Sequence, residues 1–232
     1  MNPGKLSFSK LLIGMSLGLA VNSVAFAEER KTGVLGLYAA DTQRPSILDE
    51  SKISDLGCLI TLKGGIGEAK GDIGLEQPNQ FVLLICENPV LGEVGKRRVL
   101  NGLMSSGKAL ALLEGDHRYF PDANRVGAVA DRQYILKISH YNNHDVDGRD
   151  RDLDRLNREA GAIAGTYMTD SFLAVNRATG LPTPDEVVVI YYDNAEAGDR
   201  FRDNNPEILQ KIGKFNKTHL VDTVYYVGRV MP

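Results

Sequence analysis

The hydrophobic and polar positions of this chain switch period several times, and the switches are clearest in its second half. Residues 133–141 (Gln-Tyr-Ile-Leu-Lys-Ile-Ser-His-Tyr) are rich in β-branched and aromatic side chains and read as a strand. Then Leu153, Leu156, Ala160, Ile163 and Ala164 recur at spacings of three and four. That spacing places them on one stripe of a helix, which Gly165 is expected to cap. A second strand is expected over 166–176, and a Gly- and Pro-bearing turn over 179–185. A third strand over 186–192 is apolar on both faces and so reads as central. Ala197 and Phe201, then Ile208, Ile212 and Phe215, mark a helix interrupted at Pro206. A last strand is expected over 219–229. The order is β-α-β-β-α-β.

The first half repeats this order more faintly. Strands are expected over 33–40, within the Gly-rich 59–75, over 79–87 and over 108–114, with helices over 45–56 and 91–104. The stretch 116–132 holds Pro121, Asp122, Asn124 and Gly127 and reads as a connector. The division expected is a first unit at 28–120, a linker at 121–131 and a second unit at 132–232.

The β-α-β-β-α-β order is the split βαβ, or ferredoxin-like, unit: a four-stranded antiparallel sheet with helices on one face. The strands Phe81–Cys86 and Val187–Tyr192 are apolar on the uncovered side too. One unit alone would expose a large apolar patch, and two units covering each other would not. On these residues the chain resembles the dimeric α+β-barrel superfamily, here with two units in tandem. The stretches Val187–Asp193, Ala195–Phe201 and Pro206–Ile212 are similar to the end of small barrel domains of that superfamily. The fold class expected is α+β: two ferredoxin-like units packed sheet to sheet as an intramolecular barrel.

The N-terminus changes where this fold is expected to work. Lys5 and Lys10 precede the short apolar run Leu11–Val21, and Ala25-Phe26-Ala27 supplies a cleavage box before Glu28-Glu29-Arg30-Lys31. This reads as a secretory signal peptide over 1–27, cut after Ala27, which implies a periplasmic or secreted protein without a membrane anchor after cleavage. The net charge of −3 and the lack of a basic run argue against nucleic acid as partner. An oxidising compartment permits Cys58 and Cys86 to pair; two buried free thiols are the alternative. There is no Cys-x-x-Cys, no Walker or Rossmann glycine signature after Gly64-Gly65-Ile66-Gly67, and no Gly-x-Ser-x-Gly.

Candidate chemistry gathers in Ser139–Asp150. Asn143, Asp145, Asp147 and Asp154, with Gly148 between, partly match a calcium loop, although a strand precedes them and the last ligand is Asp rather than Glu. His140, His144 and Asp145 are suitable transition-metal ligands at a spacing that serves only on a helix. The plainer alternative is a turn whose Asp residues cap the next helix. No other cofactor is implied. His140, at a strand end, is a candidate general base with Tyr192 as proton donor, or a hydrogen-bonded structural histidine. Which face of its strand turns inward is open. Tyr141, Tyr191, Tyr226 and Asp222 are candidate ligand contacts between the sheets. Three functions follow from these residues. One is a binding module for a small, partly apolar molecule. The second, implied by the resemblance, is a cofactor-free monooxygenase or isomerase. The third is an interaction protein with no pocket.

Overall fold

A computed structural model describes residues 31–39, 53–54, 57–86, 109–120 and 129–230. The expected leader at 1–27 and most of the expected helices at 45–56 and 91–104 lie outside them. Eight strands appear: β1 (Lys31–Tyr38), β2 (Cys58–Asp72), β3 (Gln80–Cys86), β4 (Ala109–Tyr119), β5 (Gln133–Tyr141), β6 (Met168–Thr179), β7 (Glu186–Tyr192) and β8 (Leu220–Val230). Three described α-helices join them: α1 (Val146–Gly161), α2 (Ala195–Asn204) and α3 (Pro206–His219).

The strands close into one antiparallel barrel in the order β1-β3-β2-β8-β5-β7-β6-β4. The first half supplies the run β4-β1-β3-β2 and the second the run β8-β5-β7-β6. Two seams join the runs edge to edge, β2 to β8 and β4 to β6. Among the described strands no edge is left open, which removes the main hazard of an exposed sheet.

Eight strands leave an interior just wide enough for side chains to fill. Alternate residues do so: Leu35 and Leu37 from β1, Phe81 and Leu83 from β3, Tyr134, Leu136 and Ile138 from β5, Val187, Val189 and Tyr191 from β7, and Val224 and Tyr226 from β8. The glycines of the seam serve this filling. A Cβ on Gly64 would stand 2.6 Å from the Phe81 ring and 2.3 Å from the Arg229 carbonyl. Gly180, in the turn between β6 and β7, has φ +92°, and a Cβ there would meet the Leu110 carbonyl at 2.0 Å.

The outer faces carry separate cores. In the first half Val34, Tyr38, Val82, Leu84 and Leu112 gather with Cys58 and Cys86. Those cysteines face each other across β2 and β3 and form a disulfide. In the second half Tyr141, Tyr192 and Leu220 pack on Leu156 and Ala160 of α1, Phe201 of α2, and Ile208 and Phe215 of α3.

Caps explain the helix starts. The Asp145 carboxylate accepts from the Gly148 amide at 2.8 Å, opening α1 well before the apolar stripe begins. Asn194 accepts from the Ala197 amide at 2.8 Å. Pro206, in the first turn of α3, has no N–H to continue α2, so the two helices part there. The largest departure from the sequence reading is β4, expected to end at Glu114. It runs on to Tyr119, because Gly115–Tyr119 supply the seam with β6.

Candidate functional site

The central strands of the second half turn one face to the barrel interior and the other to the helices. On β5, Tyr134, Leu136 and Ile138 point inward, and Ile135, Lys137 and Tyr141 point to the helix layer. On β7 the inward Val187 and Val189 are 1–2% exposed. Their outward neighbours Val188 and Ile190 are only partly buried. The difference is a cavity of about 140 Å³ between the sheet and helices α1 and α3. Val188, Ile190, Phe172, Leu153, Leu156, Ile212 and Phe215 give it apolar walls.

Its polar groups stand among those walls. The Lys137 ammonium donates to Glu186 at 2.9 Å, with side chains 17% and 3% exposed. Burial by itself would lower Lys137; the Glu186 carboxylate, with Tyr225 and Tyr167 assisting, holds the lysine above its ordinary value. Tyr225 accepts at its hydroxyl from the Asn216 amide at 2.7 Å. Tyr167 is pushed up by burial, the Lys137 charge notwithstanding. Tyr167 meets Tyr192 and Phe201 edge to face at 6.3 and 6.2 Å between centroids, and those two rings tilt against each other at 5.7 Å. Beside Glu186, Tyr141 is raised by burial and then by that carboxylate, and Arg149 stacks 4.3 Å over its ring. The cavity therefore offers phenol hydroxyls and one ion pair whose charges are spent on each other. The arrangement suits hydrogen bonding to a neutral guest better than proton abstraction.

Of the residues singled out in the sequence, the structure brings His140 and Asp222 together but separates His140 from Tyr192. His140 lies on the inward face at the barrel end where β5 finishes, paired through Nδ1 with Asp222; its Nε2 is 3.2 Å from the Pro182 carbonyl. Tyr192 lies on the opposite face of the sheet, under the helices, so the pair cannot act on one substrate. The ligand set divides likewise. Tyr191 and Tyr226 belong to the filled interior, Tyr141 to the helix layer, and Asp222 to the His140 pair. Burial raises Tyr226 to about 12, with Asp72 adding to it. The candidate calcium ligands are not gathered either. Among the described residues no three His, Cys, Asp or Glu side chains gather to hold an ion. Asp145 is committed to the Gly148 amide, and Asn143 and Asp147 are exposed. That loop is a helix start.

Lys137, Glu186 and the half-buried pair Val188 and Ile190 were missed in the sequence. A charged residue inside each of two apolar strands was the available signal.

No family model matches the chain, and no curated protein matches it in sequence. Solved structures do match. An anthrone oxidase-like protein aligns at TM-score 0.53 and 14% identity, over 89% of this chain and 93% of its own. Chlorite dismutase from Candidatus Nitrospira defluvii, in complex with imidazole, aligns at TM-score 0.56 and 11% identity, over 87% and 91%. A candidate monooxygenase from Fusobacterium nucleatum aligns at TM-score 0.50 and 8% identity, over 88% and 93%. At such identities the likeness concerns the fold. Together with the closed eight-stranded barrel and its outer helices, it gives this chain the fold of the dimeric α+β-barrel superfamily.

Proposed function

We propose that this protein, exported after cleavage at Ala27 and built as two tandem ferredoxin-like units (28–120 and 132–232 about a linker at 121–131), binds a small single-ring molecule with one polar edge. The guest sits in the helix-side cavity of the second unit, not between the sheets, where side chains fill the space. One observation carries the reading: Val188 and Ile190, in the middle of a central strand, remain partly uncovered beside the buried Lys137–Glu186 pair. A cavity of about 140 Å³ matches the size that accepts one benzene ring, about 150 Å³ in an engineered apolar site. A phenol hydroxyl in it can donate to Glu186 or accept from Lys137.

The experiment is calorimetric titration with 4-methylphenol, alongside the Val188→Phe variant, which fills the cavity with an apolar ring. Wild type is expected to bind, and the variant to bind at least tenfold more weakly without melting lower. Equal binding by both, or none by wild type to any single-ring phenol, overturns the reading.

A second reading is a cofactor-free oxygenase or isomerase, favoured by the fold shared with an anthrone oxidase-like protein and a candidate monooxygenase. A three-ring anthrone needs more room than this cavity offers, so a substrate here would be smaller. Oxygen uptake with 4-methylphenol, abolished in Val188→Phe, separates turnover from binding.

A further inference from the structure

The barrel end opposite His140, where β5 and β6 begin and β4 and β7 finish, holds polar groups without partners. Arg132, one residue before β5, is 1% exposed. Its guanidinium carbon stacks 4.4 Å over the inward-facing Tyr191 ring. Its Nε and Nη1 have no hydrogen-bond partner. Three strands round the same opening, His117 of β4 also turns inward, against Gly33 and Leu173. It is 7% exposed, and its Nε2 is without a partner.

A buried guanidinium is costly unless an acceptor meets it, and an aromatic face offsets only part of that cost. None of the ion pairs among the described residues uses Arg132. Guanidinium N–H groups match the oxygens of carboxylates and phosphates in geometry as well as charge. We infer that this end of the barrel is a binding site for a small oxyanion, held by Arg132 against Tyr191. Arg132 supplies the charge and Tyr191 the flat support that fixes the guanidinium plane. The site faces the interior, on the other side of the sheet from the helix-side cavity, and stands whether or not that cavity takes a phenol.

The test is thermal melting of the full chain in acetate, benzoate, phosphate and sulfate, each against chloride at equal ionic strength. In wild type at least one oxyanion raises the melting temperature saturably. Carboxylate against tetrahedral anions decides which class fits, and saturation by either supports the site. Arg132→Lys weakens that anion at least tenfold, and Arg132→Met abolishes the effect. In chloride alone Arg132→Met melts no lower than wild type, because it removes an unpaired buried charge. The inference is overturned by an equal response to chloride, by a saturable effect that survives Arg132→Met, or by a variant that melts well below wild type in chloride. Independently of any variant, the wild-type Arg132 Nε–Hε NMR signal shifts on titration with the active anion; a signal that stays still overturns it too.

Discussion

The barrel interior and the helix layer of the second half are built from the same strands, yet they differ in kind. Inward residues of β5 and β7 (Tyr134, Leu136, Ile138, Val187, Val189, Tyr191) meet other sheet residues across a closed ring and fill the space. Outward residues of the same strands meet helices α1 and α3, and a gap remains between them. The gap holds a salt bridge; the cluster at the centre of the interior is built from apolar and tyrosine side chains. A period of two thus writes a dry, packed core on one side of a strand and a polar, incompletely filled layer on the other.

The sharpest way to break this contrast is to leave a charge alone in the helix layer. Glu186→Gln strands Lys137 and is expected to cost about 4 kcal/mol in urea unfolding, while Lys137→Met with Glu186→Leu recovers most of it. If Glu186→Gln costs under about 1 kcal/mol, the pair is solvated and the layer is not the low-dielectric place described. Next comes the interior. Leu136→Ala, at a site with no exposure, is expected to cost about 3 kcal/mol, and Val188→Ala across the sheet much less. Equal costs would abolish the distinction between filled and unfilled faces.

The smallest effect is acid sensitivity. His117 is lowered to about 4, first by burial, with Asp170 opposing and Lys31 assisting. A histidine depressed in the folded state adds stability above its unfolded value of about 6.5. That stability is lost as pH falls from about 6.5 through 4, by about 2 kcal/mol once solvent screening is allowed for. His117→Phe should flatten this part of the pH–stability curve. An unchanged curve would mean that the ring is already solvated.

Much of the second half was legible because its signals are local. β5 and β7 occupy the spans their residues predict, 133–141 and 186–192, and Pro206 divides the last two helices as its missing N–H requires. What was not legible depends on distant partners. β4 runs past its apolar residues through Gly115-Asp116-His117, since β6 supplies ladder partners that nothing nearby announces. The Gly-rich 59–75 announced a strand without saying why it needs glycine; Gly64 is pared down to seat a ring from Phe81. The site was missed for the same reason. Periodicity told the two faces of β5 apart without saying which was inward, so His140 and Tyr192 were grouped across a sheet that separates them.

β2 is the strand on which closure depends. Its first residues hydrogen-bond to β3 and its last to β8, with the handover at Gly64 and Gly65. The covalent link between Cys58 and Cys86 pins the near end of that strand in one alignment. A one-residue slip that brings Lys63 into register would swing Gly64 to the outside and put the lysine side chain where the Phe81 ring lies. The sulfur bridge therefore works as a locating dowel: it sets the first ladder so that the second, which begins at Gly64 on the same strand, meets its mate in step.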